Sequence, residues 1–88
     1  MYKILVADDE KLIRKGILSK LGAHDLPVSW VGEAANGEEA LRLIGEEHPD
    51  IVITDIKMPF MDGLELIRRA KESYPRVKFI IISGHADF

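Results

Sequence analysis

Short apolar runs alternate along this chain with stretches whose apolar residues recur at helical spacing, and that alternation restricts the available folds more than any other feature. Lys3 to Ala7, Val28 to Ala34, Ile51 to Thr54 and Val77 to Ile82 have the length and composition of strands. A helical stretch separates each from the next. Successive strands are therefore joined by crossovers, which makes the sheet parallel. The expectation is an α/β fold with four strands and three helices around one parallel sheet.

Each helix carries its own punctuation. The first presents Leu12, Ile13, Ile17, Leu18 and Leu21 toward the sheet and stops at Gly22. Gly16 inside it costs about 1 kcal/mol relative to Ala. The second is capped by Asn36, with Glu39 placed to close a capping box, carries Ala40, Leu41 and Ile44, and ends at His48-Pro49. The third is capped by Asp62 with Glu65 as the reciprocal partner, and Leu64, Ile67 and Ala70 form its predicted inner face before Pro75. Val28 to Ala34 is the least apolar strand and reads as a sheet edge, whereas Ile51 to Thr54 is continuously apolar and reads as a central one.

Composition excludes several functions. Eighty-eight residues make at most one domain, and a hydrophobic share of 47% is that of a globular chain. A net charge of -3 without clustered Lys or Arg gives no footprint for nucleic acid. There are no cysteines, so a metal here must be held by oxygen or imidazole. Neither a secretory leader nor an apolar run approaching the roughly 20 residues of a membrane span is present, and the expected location is cytoplasmic.

Three acids sit where ligands bind in such sheets. Asp8-Asp9 follow the first apolar run and Asp55 follows the third, and the carboxyl ends of parallel strands border the crevice of an open α/β fold. Carboxylates brought together there repel one another, and a hard divalent cation of the Mg2+ type resolves the repulsion. The competing reading makes Asp8 and Asp9 caps of the first helix and Asp55 a loop acid. His24, His48 and His85 lie in turns without ligand spacing, Trp30 reads as a packing or edge residue, and Met58, Phe60 and Met61 line the loop or form an exposed patch.

Val6-Ala7-Asp8-Asp9-Glu10, Asp55, Lys57-Met58-Pro59, Asp62-Gly63 and Ile82-Ser83-Gly84 stand in one order and spacing, and in these the chain resembles a response-regulator receiver domain of two-component signalling. The resemblance implies a flavodoxin-like topology and a phosphoryl group taken by Asp55 from a sensor histidine kinase. It further implies Mg2+ held by Asp8, Asp9, Asp55 and the carbonyl of Lys57, with Ser83 donating a hydrogen bond to the phosphoryl group. Met58-Pro59 would shape the loop after the acceptor, and Gly63 would sit in the turn before the third helix.

The family pattern continues with a fifth strand that bears an aromatic switch residue and closes on a lysine, and residues 1–88 do not include them. The expectation is thus the N-terminal part, 1–88, of a single receiver domain truncated after the fourth strand. A C-terminal transcription-regulating domain would follow in the parent protein. Such a chain would self-associate through the edge of Val77 to Ile82, and part of its first helix would be uncovered. The alternative function is a folding or dimerisation fragment whose acids are retained but idle. An FMN carrier would require a hydroxyl-rich loop where Asp8-Asp9-Glu10 stand.

Overall fold

The computed structural model describes residues 1–82. Its elements are β1 (Tyr2–Ala7), α1 (Lys11–Gly22), β2 (Val28–Ala34), α2 (Gly37–Glu47), β3 (Ile51–Asp55), α3 (Gly63–Ser73) and β4 (Lys78–Ile82). All strand pairs are parallel and the sheet order is β2-β1-β3-β4, so β1 and β3 are the two inner strands. The expected α/β architecture with four strands and three helices is the one found, and its order is that of the flavodoxin-like receiver topology.

Alternation along β1 and β3 divides the core into two layers. Leu5, Ala7 and Val52 point to the side of α2 and α3, where Ala40, Ile44, Leu66 and Ala70 are fully buried against them. Ile4, Val6 and Ile53 point the other way and meet Ile17, Leu18 and Leu21 of α1. A buried aliphatic side chain of this size contributes about 1.5–3 kcal/mol. One sheet face thus carries two helices and the other carries one.

That asymmetry leaves α1 without a single fully buried residue. Leu12, expected on its inner face, is 85% exposed. The reason is local: it is the second residue of the helix, and its side chain tilts toward the helix N-terminus, past the ends of the strands. The predicted phase of α3 also needs correction. Its buried residues are Gly63, Leu66 and Ala70, while Leu64 is exposed. Close approach of Gly63 to the end of β3 fixes the rotation of the helix, and the inner stripe then follows at spacings of three and four.

The caps are largely as read. The side chains of Asn36 and Asp62 accept the backbone N–H groups of Glu39 and Glu65, each at 2.8 Å. Glu65 does not complete a reciprocal box; its carboxylate turns outward to Arg68 and Arg69. His48 ends α2 in a left-handed conformation at φ 50°, its ring edge-on to Tyr74. Met58 and Met61 join the core, whereas Phe60 between them is 83% exposed at φ 70°, so the cluster is part lining and part surface.

The two sheet edges differ. Pairing of β2 with β1 slips between Ile4 and Leu5, which face Trp30 and Gly32 respectively and leave Val31 as an extra residue. Strand β4 pairs with β3 in unbroken register along its length, and Ile80 and Ile81 are exposed. None of the described residues forms a helix long and apolar enough to cross a membrane.

Candidate functional site

The strand order reverses direction at β1, so the crevice at the carboxyl ends of β1 and β3 is the natural ligand position. Asp8 and Asp9 leave β1 at that end and Asp55 is the last residue of β3. One carboxylate oxygen from each lies within 4.8 Å of the others. Asp8 and Asp55 are 1% and 3% exposed, and Asp9 is open to solvent.

Each buried acid is held by its neighbours. The Asp8 N–H continues the β1–β2 ladder onto the Ala34 carbonyl at 3.0 Å, and its Oδ1 accepts the Glu10 N–H at 2.8 Å. The side chain of Asp8 therefore closes a turn, and Glu10, not Asp8 or Asp9, stands at the N-cap position of α1. Asp55 Oδ1 accepts the Ile56 N–H at 2.7 Å, and the Thr54 hydroxyl donates to the Asp55 carbonyl at 2.9 Å. Gly63 donates its N–H to the Ile56 carbonyl at 2.7 Å. A Cβ at Gly63 would overlap the Asp55 carbonyl oxygen, so only glycine lets α3 start this close to the end of β3. Gly37 plays the same part for α2, where a Cβ would overlap the Met61 carbonyl.

One atom of this arrangement is left over. Asp8 Oδ2 is buried and has no hydrogen-bond partner among the described residues. Burial pushes the Asp8 carboxyl above its ordinary range, opposed by the Glu10 N–H and reinforced by the charges of Asp55, Asp9 and Glu10. A buried, unpartnered carboxylate oxygen beside two more carboxylates fits a small hard dication, which asks the protein for only a few oxygens and keeps several waters. The donor set is all oxygen, as Mg2+ prefers.

Structure and sequence agree on the three acids. Lys57 lies two residues beyond Asp55 in the loop, with its side chain exposed. Ser83 lies outside the described residues. Sequence reasoning missed Arg14, whose guanidinium donates from Nη1 to the Asp8 carbonyl at 2.6 Å and from Nε to Glu33 Oε1 at 3.0 Å. Its only sequence signal was position, early in α1 and close behind the acidic pair. A separate concavity of about 340 Å³, lined by residues such as His48, Tyr74 and Arg76, lies at the opposite end of β3 and β4 and contains none of these acids.

Comparison with known proteins gives one consistent result. The family model described as the response regulator receiver domain matches residues 4–88. The uncharacterized transcriptional regulatory protein YesN of Bacillus subtilis is 49% identical over 88 residues, all of this chain but 24% of that protein. The response regulator GacA of Pseudomonas aeruginosa is 40% identical over 83 residues, covering 94% of this chain and 38% of the relative. Among solved structures, the REC domain of AraT, a response regulator from Geobacillus stearothermophilus, superposes with a TM-score of 0.88 at 40% identity, covering 96% of this chain and 65% of that one. The chain thus spans well under half the length of these curated relatives.

Proposed function

The chain belongs to the response-regulator receiver domain family, and on that premise we propose that it is the phospho-accepting module of a two-component system, with Asp55 as the acceptor. Receiver domains generally bind Mg2+ at an acidic cluster and interact with sensor histidine kinases. The observation that carries the reading is the convergence of Asp8, Asp9 and Asp55 within 4.8 Å around a buried oxygen that has no hydrogen-bond partner among the described residues.

In the proposed step a carboxylate oxygen of Asp55 attacks the phosphorus of a histidine-bound phosphoryl group. The P–N bond breaks, its electron pair returns to the imidazole, and the product is an acyl phosphate on Asp55. Asp55 reacts from a fixed position, because its Oδ1 is tied to the Ile56 N–H and its carbonyl to Thr54. Asp8, Asp9, Asp55 and the carbonyl of Lys57 would hold Mg2+, which when bound neutralises charge on the phosphoryl oxygens. Ser83 would donate a hydrogen bond to one of those oxygens.

Residues 1–88 are then the N-terminal part of a single cytoplasmic receiver domain. The relatives' transcription-regulator names support an output domain that controls transcription in the parent protein. Incubation with acetyl phosphate and Mg2+ followed by intact mass measurement tests the reading. A phosphoryl adduct is expected on the wild type and not on Asp55→Ala; an equal adduct on both, or none on either, rejects it.

A second reading rests on β4, a strand that exposes Ile80 and Ile81 and has one paired side among the described residues. In isolation the chain self-associates through this edge. Light scattering across a concentration series is expected to show a dimer, and a monomer at every concentration rejects it.

A further inference from the structure

We propose that Arg14 is a positioning residue for the acidic pair: its guanidinium, forked between the Asp8 carbonyl and the Glu33 carboxylate, fixes the main chain from which Asp8 and Asp9 project. The inference rests on the reading of the three acids as a cation site and concerns what sets their geometry.

Arg14 is the fourth residue of α1, and its side chain runs back toward the helix N-terminus, as long helical side chains do. That direction carries the guanidinium to the Asp8 carbonyl at 2.6 Å. On its other side, Nε meets Glu33 Oε1 at 3.0 Å. Glu33 belongs to β2 and is paired in register with Val6, so the far anchor of the fork is the sheet itself. Lys15 Nζ holds the second oxygen of the same carboxylate at 2.9 Å. These two partners, Lys15 foremost, keep the Glu33 carboxyl below its ordinary range, so the anchor stays charged at neutral pH.

With this bond the turn after β1 is tied at three atoms. The Asp8 N–H is bound to Ala34, Oδ1 to Glu10 and the carbonyl to Arg14, and Oδ2 alone remains. The guanidinium meets Asp8 through its carbonyl, so it draws on neither oxygen of the Asp8 carboxylate. A lysine, a single point of charge on a flexible stem, cannot span the carbonyl and the carboxylate as a planar fork does. The Arg14 side chain is also 14% exposed, so water replaces it poorly.

Charge alone and positioning predict opposite orders of effect. Arg14→Lys preserves charge and removes the fork, whereas Lys15→Ala removes a charge beside the same carboxylate and touches nothing at Asp8. Mg2+ alone is titrated into the wild type, both variants and Glu33→Gln, following the backbone amide resonances by NMR. Arg14→Lys is expected to weaken Mg2+ binding about tenfold, in the range found when a residue supporting a metal ligand is changed. Lys15→Ala is expected to stay within about twofold, and Glu33→Gln to fall between them.

A second readout needs no metal. In chelator, amide exchange at Asp9 and Glu10 is expected to accelerate in Arg14→Lys while that of Leu5 in the core is unchanged. An Arg14 role confined to general stability would move both amides together and leave the Mg2+ affinity of the folded protein intact, which overturns the proposal. So does an equal or larger loss in Lys15→Ala. A wild type that binds no Mg2+ overturns the cation-site reading and this inference together, whereas normal wild-type binding with an unaltered Arg14→Lys affinity overturns this inference alone.

Discussion

Replacing Asp8 with asparagine is expected to stabilise the metal-free protein, although it removes a residue central to the site. One oxygen from each acid lies within 4.8 Å of the others. Two unit charges at that distance repel by about 3.5 kcal/mol at an effective dielectric constant of 20 and by about 0.9 kcal/mol in water. Asp9 is solvated, so its share lies near the lower figure, and relaxation of the loop reduces the rest. Relief of about 1–3 kcal/mol is the resulting expectation. Asparagine retains the oxygen that accepts the Glu10 N–H and can offer its amide to Asp55, so the turn survives.

The pH dependence carries an independent sign. The Asp8 carboxyl is raised above 3.8 in the folded state, so the native protein binds more protons than the unfolded chain between 3.8 and that raised value. Stability from this group therefore falls as pH rises through the window, and the full penalty applies above it. Thermal unfolding in chelator at low salt measures both effects. Asp8→Asn is expected to melt about 4–8 °C higher per kcal/mol at neutral pH, with the gap closing below pH 3.8. Mg2+ at about a thousand times Kd reverses the order, because binding then adds about 4.1 kcal/mol to the wild type alone. A variant no more stable than wild type in chelator, or a gap independent of pH, refutes the reasoning.

Three further outcomes follow from single contacts. Gly63→Ala forces a methyl group into the Asp55 carbonyl, so it is expected to destabilise the fold by about 1–3 kcal/mol in urea unfolding and to slow phosphorylation by acetyl phosphate. Gly16→Ala meets nothing within 4 Å in a helix interior and is expected to stabilise by about 0.5–1 kcal/mol in the same assay. Arg68 and then Arg69 hold the Glu65 carboxyl down to about 2 from an ordinary 4.5. Its stabilisation is present above pH 4.5 and lost as pH falls toward 2, so the difference between wild type and Glu65→Gln in urea midpoint is expected to shrink over that interval.

How far the sequence revealed the fold depends on the range of the interaction responsible. Strand-length apolar runs and the caps at Asn36 and Asp62 are local signals, and the elements fall where those signals put them. Placement of Asp8, Asp9 and Asp55 together follows from chain order once the sheet is parallel, so the acids of the site were legible too. Leu12 and Leu64 were misassigned because periodicity shows a stripe but not where a helix overhangs its sheet. The phase of α3 depends on Gly63 meeting the Asp55 backbone, a contact between elements with no pattern of its own. Arg14 escaped notice for the same reason: an arginine early in an amphipathic helix reads as solvated surface until β2 supplies Glu33.

The slip in pairing at Val31 has a consequence for assembly. A flank that is kinked there and clamped by Arg14 and Lys15 through Glu33 offers a poor template to a neighbouring chain. Among the described residues, the flank on the other side pairs in unbroken register, exposes Ile80 and Ile81 and has no such guard. On the proposed self-association, two molecules joined there by a twofold axis would each use up the β4 border, so growth would halt at a pair instead of running on into a filament.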